Sequence, residues 1–130
     1  MDVKTIEKKT KLTVEQSVKF QLLTQLVFFK GMILTNTEID IMTYLVIGKI
    51  KDLSSFCTEA TKKMYKIDKM EEFAVRSQNI RNIVNKLVKK NLVVKSQEVG
   101  KKSIALNPAI EIFFEGPILL NYMFLSVNGN

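Results

Sequence analysis

Residues 77–102 constrain this chain more than any other stretch. Within them Ile80, Ile83, Val84, Leu87 and Val88 recur at i, i+3, i+4, i+7 and i+8. That is the stripe of a helix with one buried face. Ser77 can cap its start, because a hydroxyl accepts from the orphan N–H groups of a first turn. Lys89 and Lys90 close the last turn, where the helix dipole favours cations, and Asn91 suits a left-handed exit. The spacing predicts a helix over 77–90. The period then changes to that of a strand. Leu92-Val93-Val94 leads into a polar turn at Val99-Gly100-Lys101, and Ser103-Ile104-Ala105-Leu106 returns. A hairpin over 92–106 with a basic tip is expected.

Charge singles out the same stretch. Arg81, Lys86, Lys89, Lys90, Lys95, Lys101 and Lys102 stand against Glu98 alone, a local net of +6 out of +7 for the whole chain. A phosphate-facing surface needs such a local excess. The plainer reading is a solvated, lysine-rich face. Part of the lysine signal can be compositional, since lysine outnumbers arginine 18 to 2 while Ile and Asn are also abundant, a usage that accompanies AT-rich coding DNA.

The helix carries a second message on its polar side. Opposite the apolar stripe lie Gln78, Asn79, Asn82, Asn85, Lys86 and Lys89, with Arg81 at the edge. Asn and Gln can pair bidentately with adenine in a major groove, and Arg with guanine. Both arginines, Arg76 and Arg81, fall near the start of this helix, the end that reaches base edges when a helix enters a groove. Lys95, Lys101 and Lys102 would touch phosphates from the hairpin, positioning without specifying. Alternatively Asn is simply common here and Arg81 pairs with a nearby carboxylate.

Other chemistry is poorly supplied. The 130 residues suit one domain, and 46% hydrophobic content suits a packed core rather than a disordered chain. Histidine is absent and Cys57 is the sole cysteine, so no His-based triad, zinc cluster or internal disulfide can be built. Cys57 reads as a small buried hydrophobe. No Gly-rich phosphate loop or nucleophile elbow occurs, and Glu71-Glu72 reads as a solvated pair. No enzyme, cofactor, metal or small-molecule ligand is expected. Met1-Asp2 leads into mixed charge with no apolar run behind it, so no secretory signal is expected. The apolar windows 22–34 and 110–127 are interrupted by Lys30 and by Glu111 and Glu115, and neither predicts a membrane span.

In chain order, residues 1–12 form a basic arm expected to fray. Thr13-Val14-Glu15-Gln16 and Thr35-Asn36-Thr37-Glu38 both have capping-box spacing. They predict helices over 13–29 and 36–50, with a strand over 20–28 as the competing reading of the first. The 13–29 helix is apolar nearly all round, so it is buried on most sides or shared with another subunit. Ser54 or Ser55 starts a further helix with Phe56, Ala60 and Met64 at i+4 spacing. Residues 66–76 form a connector able to pack Phe73 inward. Asn107-Pro108 ends the hairpin, and residues 118–127 read as a last strand, placed beside the hairpin.

Helices followed by an amphipathic helix and a basic-tipped hairpin resemble a winged-helix domain over about residues 35–108. The chain looks like the small winged-helix proteins of tailed bacteriophages with AT-rich genomes. The resemblance implies an α+β, mostly α fold. Its parts would be a three-helix helix-turn-helix core with a β-hairpin wing, an extra N-terminal helix and a C-terminal strand. The organisation would be the arm 1–12 and a single domain 13–130, with core 35–108 and C-terminal extension 109–130. The connector departs from the family, because a helix-turn-helix usually turns in three or four residues. The function implied is duplex DNA binding through helix 77–90 and wing 92–106. The alternative is a virion or assembly part of an oligomeric particle, with self or phage-protein contacts through residues 22–29 and 113–125. The setting implied is a bacterial host cytoplasm or a virion, with no membrane partner.

Overall fold

Two capping boxes start the helical half of the molecule. Thr13 Oγ1 accepts from Gln16 N at 3.1 Å while Gln16 Oε1 accepts from Thr13 N at 3.0 Å. Thr35 and Glu38 repeat the arrangement at 3.1 and 3.0 Å. Each box satisfies two donors that a helix start would otherwise orphan. The computed structural model describes residues 2–10, 12–48, 51–98, 100–114 and 118–126.

The elements in order are β1 (Asp2–Thr10), α1 (Val14–Leu22) continuing into a π-helical segment (Leu23–Phe29), α2 (Asn36–Ile47), α3 (Leu53–Met64), α4 (Met70–Lys89), β2 (Val93–Glu98), β3 (Lys101–Leu106) and β4 (Ile118–Ser126). The fold is α+β and mostly helical, with two separate two-stranded antiparallel sheets, β1–β4 and β2–β3.

The first helix is helical to Phe29, so the strand alternative for 20–28 is not what forms. Val18, Leu22 and Leu26 line its buried side with no exposure. Gly31 ends the run at φ +66°, a left-handed value that Gly adopts without a Cβ penalty. The turn lets Met32 N donate to Leu26 O at 2.9 Å. α2 stops at Ile47, short of the expected residue 50. Gly48 turns away there, and a Cβ on it would lie 2.8 Å from Tyr44 O. Residues 49 and 50 lie outside the described residues.

α3 begins at Leu53, one or two residues before the start its serines suggested. Asp52 is the cap, its Oδ2 accepting from Ser55 N at 2.9 Å. Cys57 is 1% exposed, and burial pushes its thiol pKa up. It is the small core residue expected, flanked by Phe56 and Ala60.

α4 corrects the connector. It starts at Met70 rather than Ser77, so only residues 65–69 separate it from α3. Its cap, Lys69, makes no side-chain hydrogen bond. Glu71 and Glu72 in the first turn favour the positive helix end instead. Phe73 and Ser77, both half-buried, extend the stripe of Ile80, Val84 and Leu87 backwards at helical spacing. Ser77 is thus interior helix, one polar step in an apolar face.

The hairpin forms as expected, in the register Val93↔Leu106 to Glu98↔Lys101. Asn91 at φ 61° makes the exit from α4. Asn107 locks the base: its N donates to Leu92 O at 2.9 Å and its Nδ2 to Asn91 O at 2.7 Å. Beyond it the last strand departs from expectation. β4 lies beside β1, not beside the hairpin, paired from Asp2↔Ser126 to Thr10↔Ile118. The basic arm is therefore a strand, since β4 pairs with it residue for residue and bonds the backbone groups on that side. Between hairpin and β4, residues 111–113 lie along α1. The Gln21 amide there donates to Phe113 O at 2.7 Å and accepts from Phe113 N at 2.8 Å.

One core joins these parts. It holds Val18, Leu22 and Leu26 of the first helix, Ile39, Ile41, Met42 and Leu45 of α2, Leu53, Phe56 and Ala60 of α3, and Ile80, Val84 and Leu87 of α4. Leu92, Val93 and Ile104 of the hairpin and Ile110 beyond it also belong to it. Leu87 has no exposure, so Leu87→Ala is expected to cost about 2–5 kcal/mol. Lys86→Ala, one residue away on the exposed side, is expected to stay within about 0.5 kcal/mol. Urea unfolding of both variants checks the pair.

Candidate nucleic-acid interface

A helix of 20 residues is about 30 Å long, and α4 buries only one side of it. On the outward side Gln78, Asn79, Asn82, Lys86 and Lys89 are exposed, while Arg81 and Asn85 are half-buried. Gln78 Nε2 donates to Asn82 Oδ1 at 3.0 Å, one turn along the helix. Lys95, Lys101 and Lys102 are exposed on the hairpin.

The structure joins several of these residues that sequence order keeps apart. Lys95 Nζ of β2 donates to Asn85 Oδ1 of α4 at 3.0 Å, bringing the hairpin onto the helix. Arg81 Nη2 donates to Ser54 Oγ at the start of α3, at 2.8 Å. The strand pair reaches α3 as well: Asp52 bridges Ser103, and Ile104 N donates to Lys51 O at 2.8 Å. Hydrogen bonds from the Ser55 backbone and hydroxyl lower the Asp52 pKa, and the charges of Lys101 and Arg81 add to this. The start of α3, the middle of α4 and the hairpin therefore form one polar surface. Asp52 offsets part of its positive charge.

Other expected residues stand apart. Asn79 and Lys86 lie on the flank of α4 away from Asn85, and among the described residues no side-chain hydrogen bond ties them to the hairpin. Arg76 stacks its guanidinium 4.8 Å from the centroid of Tyr65, a cation–π contact across the 65–69 turn. Lys90 is exposed but already paired: its Nζ meets Glu38 Oε2 at 2.8 Å, which offsets its charge. Sequence reasoning missed Ser54 as the Arg81 partner and Glu38 as the Lys90 partner. The capping-box signal at Glu38 was visible, but its second oxygen was not.

The expected contact windows also divide. Leu22 and Leu26 are core, whereas Phe28 and Phe29 at the end of the π-helical segment are 77% and 79% exposed. Phe113 and Phe114 are exposed too. The remainder of the 113–125 window lies in β4 and in residues 115–117. Residues 115–117 are outside the described residues. Among the described residues no group of three or more His, Cys, Asp or Glu could hold a metal ion, and no helix is long and apolar enough to cross a membrane. No family model matches the chain, and no curated protein or solved structure matches it.

The Glu38–Lys90 pair ties the end of α4 to the start of α2. Burial would raise the Glu38 pKa, but hydrogen bonds from Lys90 and the Thr35 backbone outweigh it and leave the carboxyl below its ordinary 4.5. A carboxyl lowered on folding stabilises the fold above its unfolded pKa, and that contribution is lost as pH falls through the folded value. Unfolding free energy is therefore expected to drop below about pH 4.5 and to drop less in Glu38→Gln. Urea unfolding of both proteins between pH 7 and pH 3 measures the difference.

Proposed function

We propose that this chain is a winged-helix domain that binds duplex DNA. α2, α3 and α4 followed by the β2–β3 hairpin, with Asp52 bridging Ser103 at the hairpin's side, support that reading of the fold. The observation that carries the function is the hydrogen bond from Lys95 to Asn85, which brings a hairpin lysine onto the outward side of α4. α4 would lie in the major groove with Gln78, Asn82 and Asn85 toward base edges. Lys86 and Lys89 would meet the backbone beside it, and Lys95, Lys101 and Lys102 would meet phosphates from the wing.

Affinity for duplex DNA is expected to fall steeply with salt. Replacing Lys86, Lys89, Lys101 and Lys102 by Ala should flatten the slope of log K against log salt by about one for each phosphate no longer neutralised. A salt titration by fluorescence anisotropy reads this out, and no binding at about 50 mM salt would overturn the proposal.

A second reading, an assembly part of a bacteriophage particle, is supported by the exposed Phe28 and Phe29 together with Ile33 at 93% exposure. Adjacent exposed aromatics of this kind mark contact surfaces. On this reading the native mass exceeds that of a monomer, and Phe28→Glu with Phe29→Glu lowers it. Native mass spectrometry distinguishes the outcomes, and a parent protein that stays monomeric at high concentration counts against the assembly role.

A further inference from the structure

Arg81 sits on α4 in a place that differs from the line of Gln78, Asn82 and Asn85. At 3.6 residues per turn it lies about 100° from the buried Ile80, whereas those three lie about 140–160° from it. Its side chain is half-buried and turned toward α3, where Nη2 donates to Ser54 Oγ at 2.8 Å. A guanidinium carries five N–H donors in a fixed fork, so the bond to Ser54 leaves others free. Asp52, itself capping α3, places a negative charge nearby and helps to keep the guanidinium on that flank.

A helix in a major groove turns its outermost line to the base edges. Its flanks face the two walls, which are sugar-phosphate backbone. We infer that Ser54 is a positioning residue that holds Arg81 against one wall of the groove, so that Arg81 contacts a backbone phosphate and not a base edge. The inference rests on the duplex-DNA reading above. It assigns sequence preference to Gln78, Asn82 and Asn85, and register along the duplex to the Arg81–Ser54 pair. Arginine and phosphate suit one another through charge and the planar fork.

The test measures binding of the full chain to a panel of duplexes of differing base composition across salt concentrations. The proteins compared are the parent, Ser54→Ala, Ser54→Thr, Arg81→Ala and the Ser54→Ala/Arg81→Ala double variant. Arg81→Ala is expected to weaken binding by a similar factor on every duplex and to reduce the salt slope by about one. Ser54→Ala should weaken binding by a smaller uniform factor, Ser54→Thr should restore it, and the double variant should bind no worse than Arg81→Ala. Weakening by Arg81→Ala confined to particular duplexes would overturn the backbone role. Parent-like binding by Ser54→Ala, or additive effects in the double variant, would overturn the positioning role. If the parent binds no duplex, the DNA reading falls and takes the inference with it. Ser54 is exposed, so thermal melting of its variants should match the parent and keep the comparison clean.

Discussion

Ile80 and Val84 are 1% exposed and Leu87 not at all, and from one face of α4 they belong to the same core as α2, α3 and the hairpin. The other elements take their places from that buried stripe. α4 packs this one face against α2, α3 and β2, so burying its stripe also fixes which of its residues remain outside. The Glu38–Lys90 pair then sets the helix end. One carboxylate accepts from Thr35 N at the start of α2 and from Lys90 at the end of α4. An ion pair in a partly buried place is weak evidence for stability, but this one also satisfies a helix start, so it locates α4 as well as attracting it.

Local features of this fold were legible because their chemistry is written in neighbouring residues. The boxes at Thr13 and Thr35, the stripe from Ile80 to Val88, the left-handed Asn91 and the hairpin over 92–106 need only a few positions each. What escaped reading depended on residues distant in sequence. Ser54 and Arg81 are 27 apart and Glu38 and Lys90 are 52 apart, and no periodicity links them. The start of α4 was misplaced for a different reason. Ser77 has the chemistry of a cap, and the stronger signal, Glu71 and Glu72 at a helix start, resembled a loose charge pair. On the candidate interface, the exposed polar line of α4 followed from its period. The attachment of Lys95 to Asn85 and the sideways turn of Arg81 did not.

Side-chain amides bind much of the irregular chain. Gln21 satisfies both backbone groups of Phe113, Gln25 Nε2 donates to Glu111 O at 2.6 Å, and Asn107 closes the base of the hairpin. An amide offers both donor and acceptor, so it substitutes for a strand neighbour where no strand is present. Among the described residues, no buried side-chain nitrogen or oxygen lacks a partner. Residues 111–113 are thereby seated on the first helix without needing a sheet of their own.

The β1–β4 ribbon has a mechanical consequence. Its register sets Asp2 opposite Ser126 and Thr10 opposite Ile118, so both ends of the described chain leave from the same end of the ribbon. Tension applied between residues 2 and 126 would open the ladder one residue pair at a time, in the manner of a zipper. Opposed tension along the ladder would instead load all its hydrogen bonds together in shear. The ribbon would therefore yield at low force and lengthen before any load reached the helices, and the packed core would stay mechanically insulated from a pull on its ends.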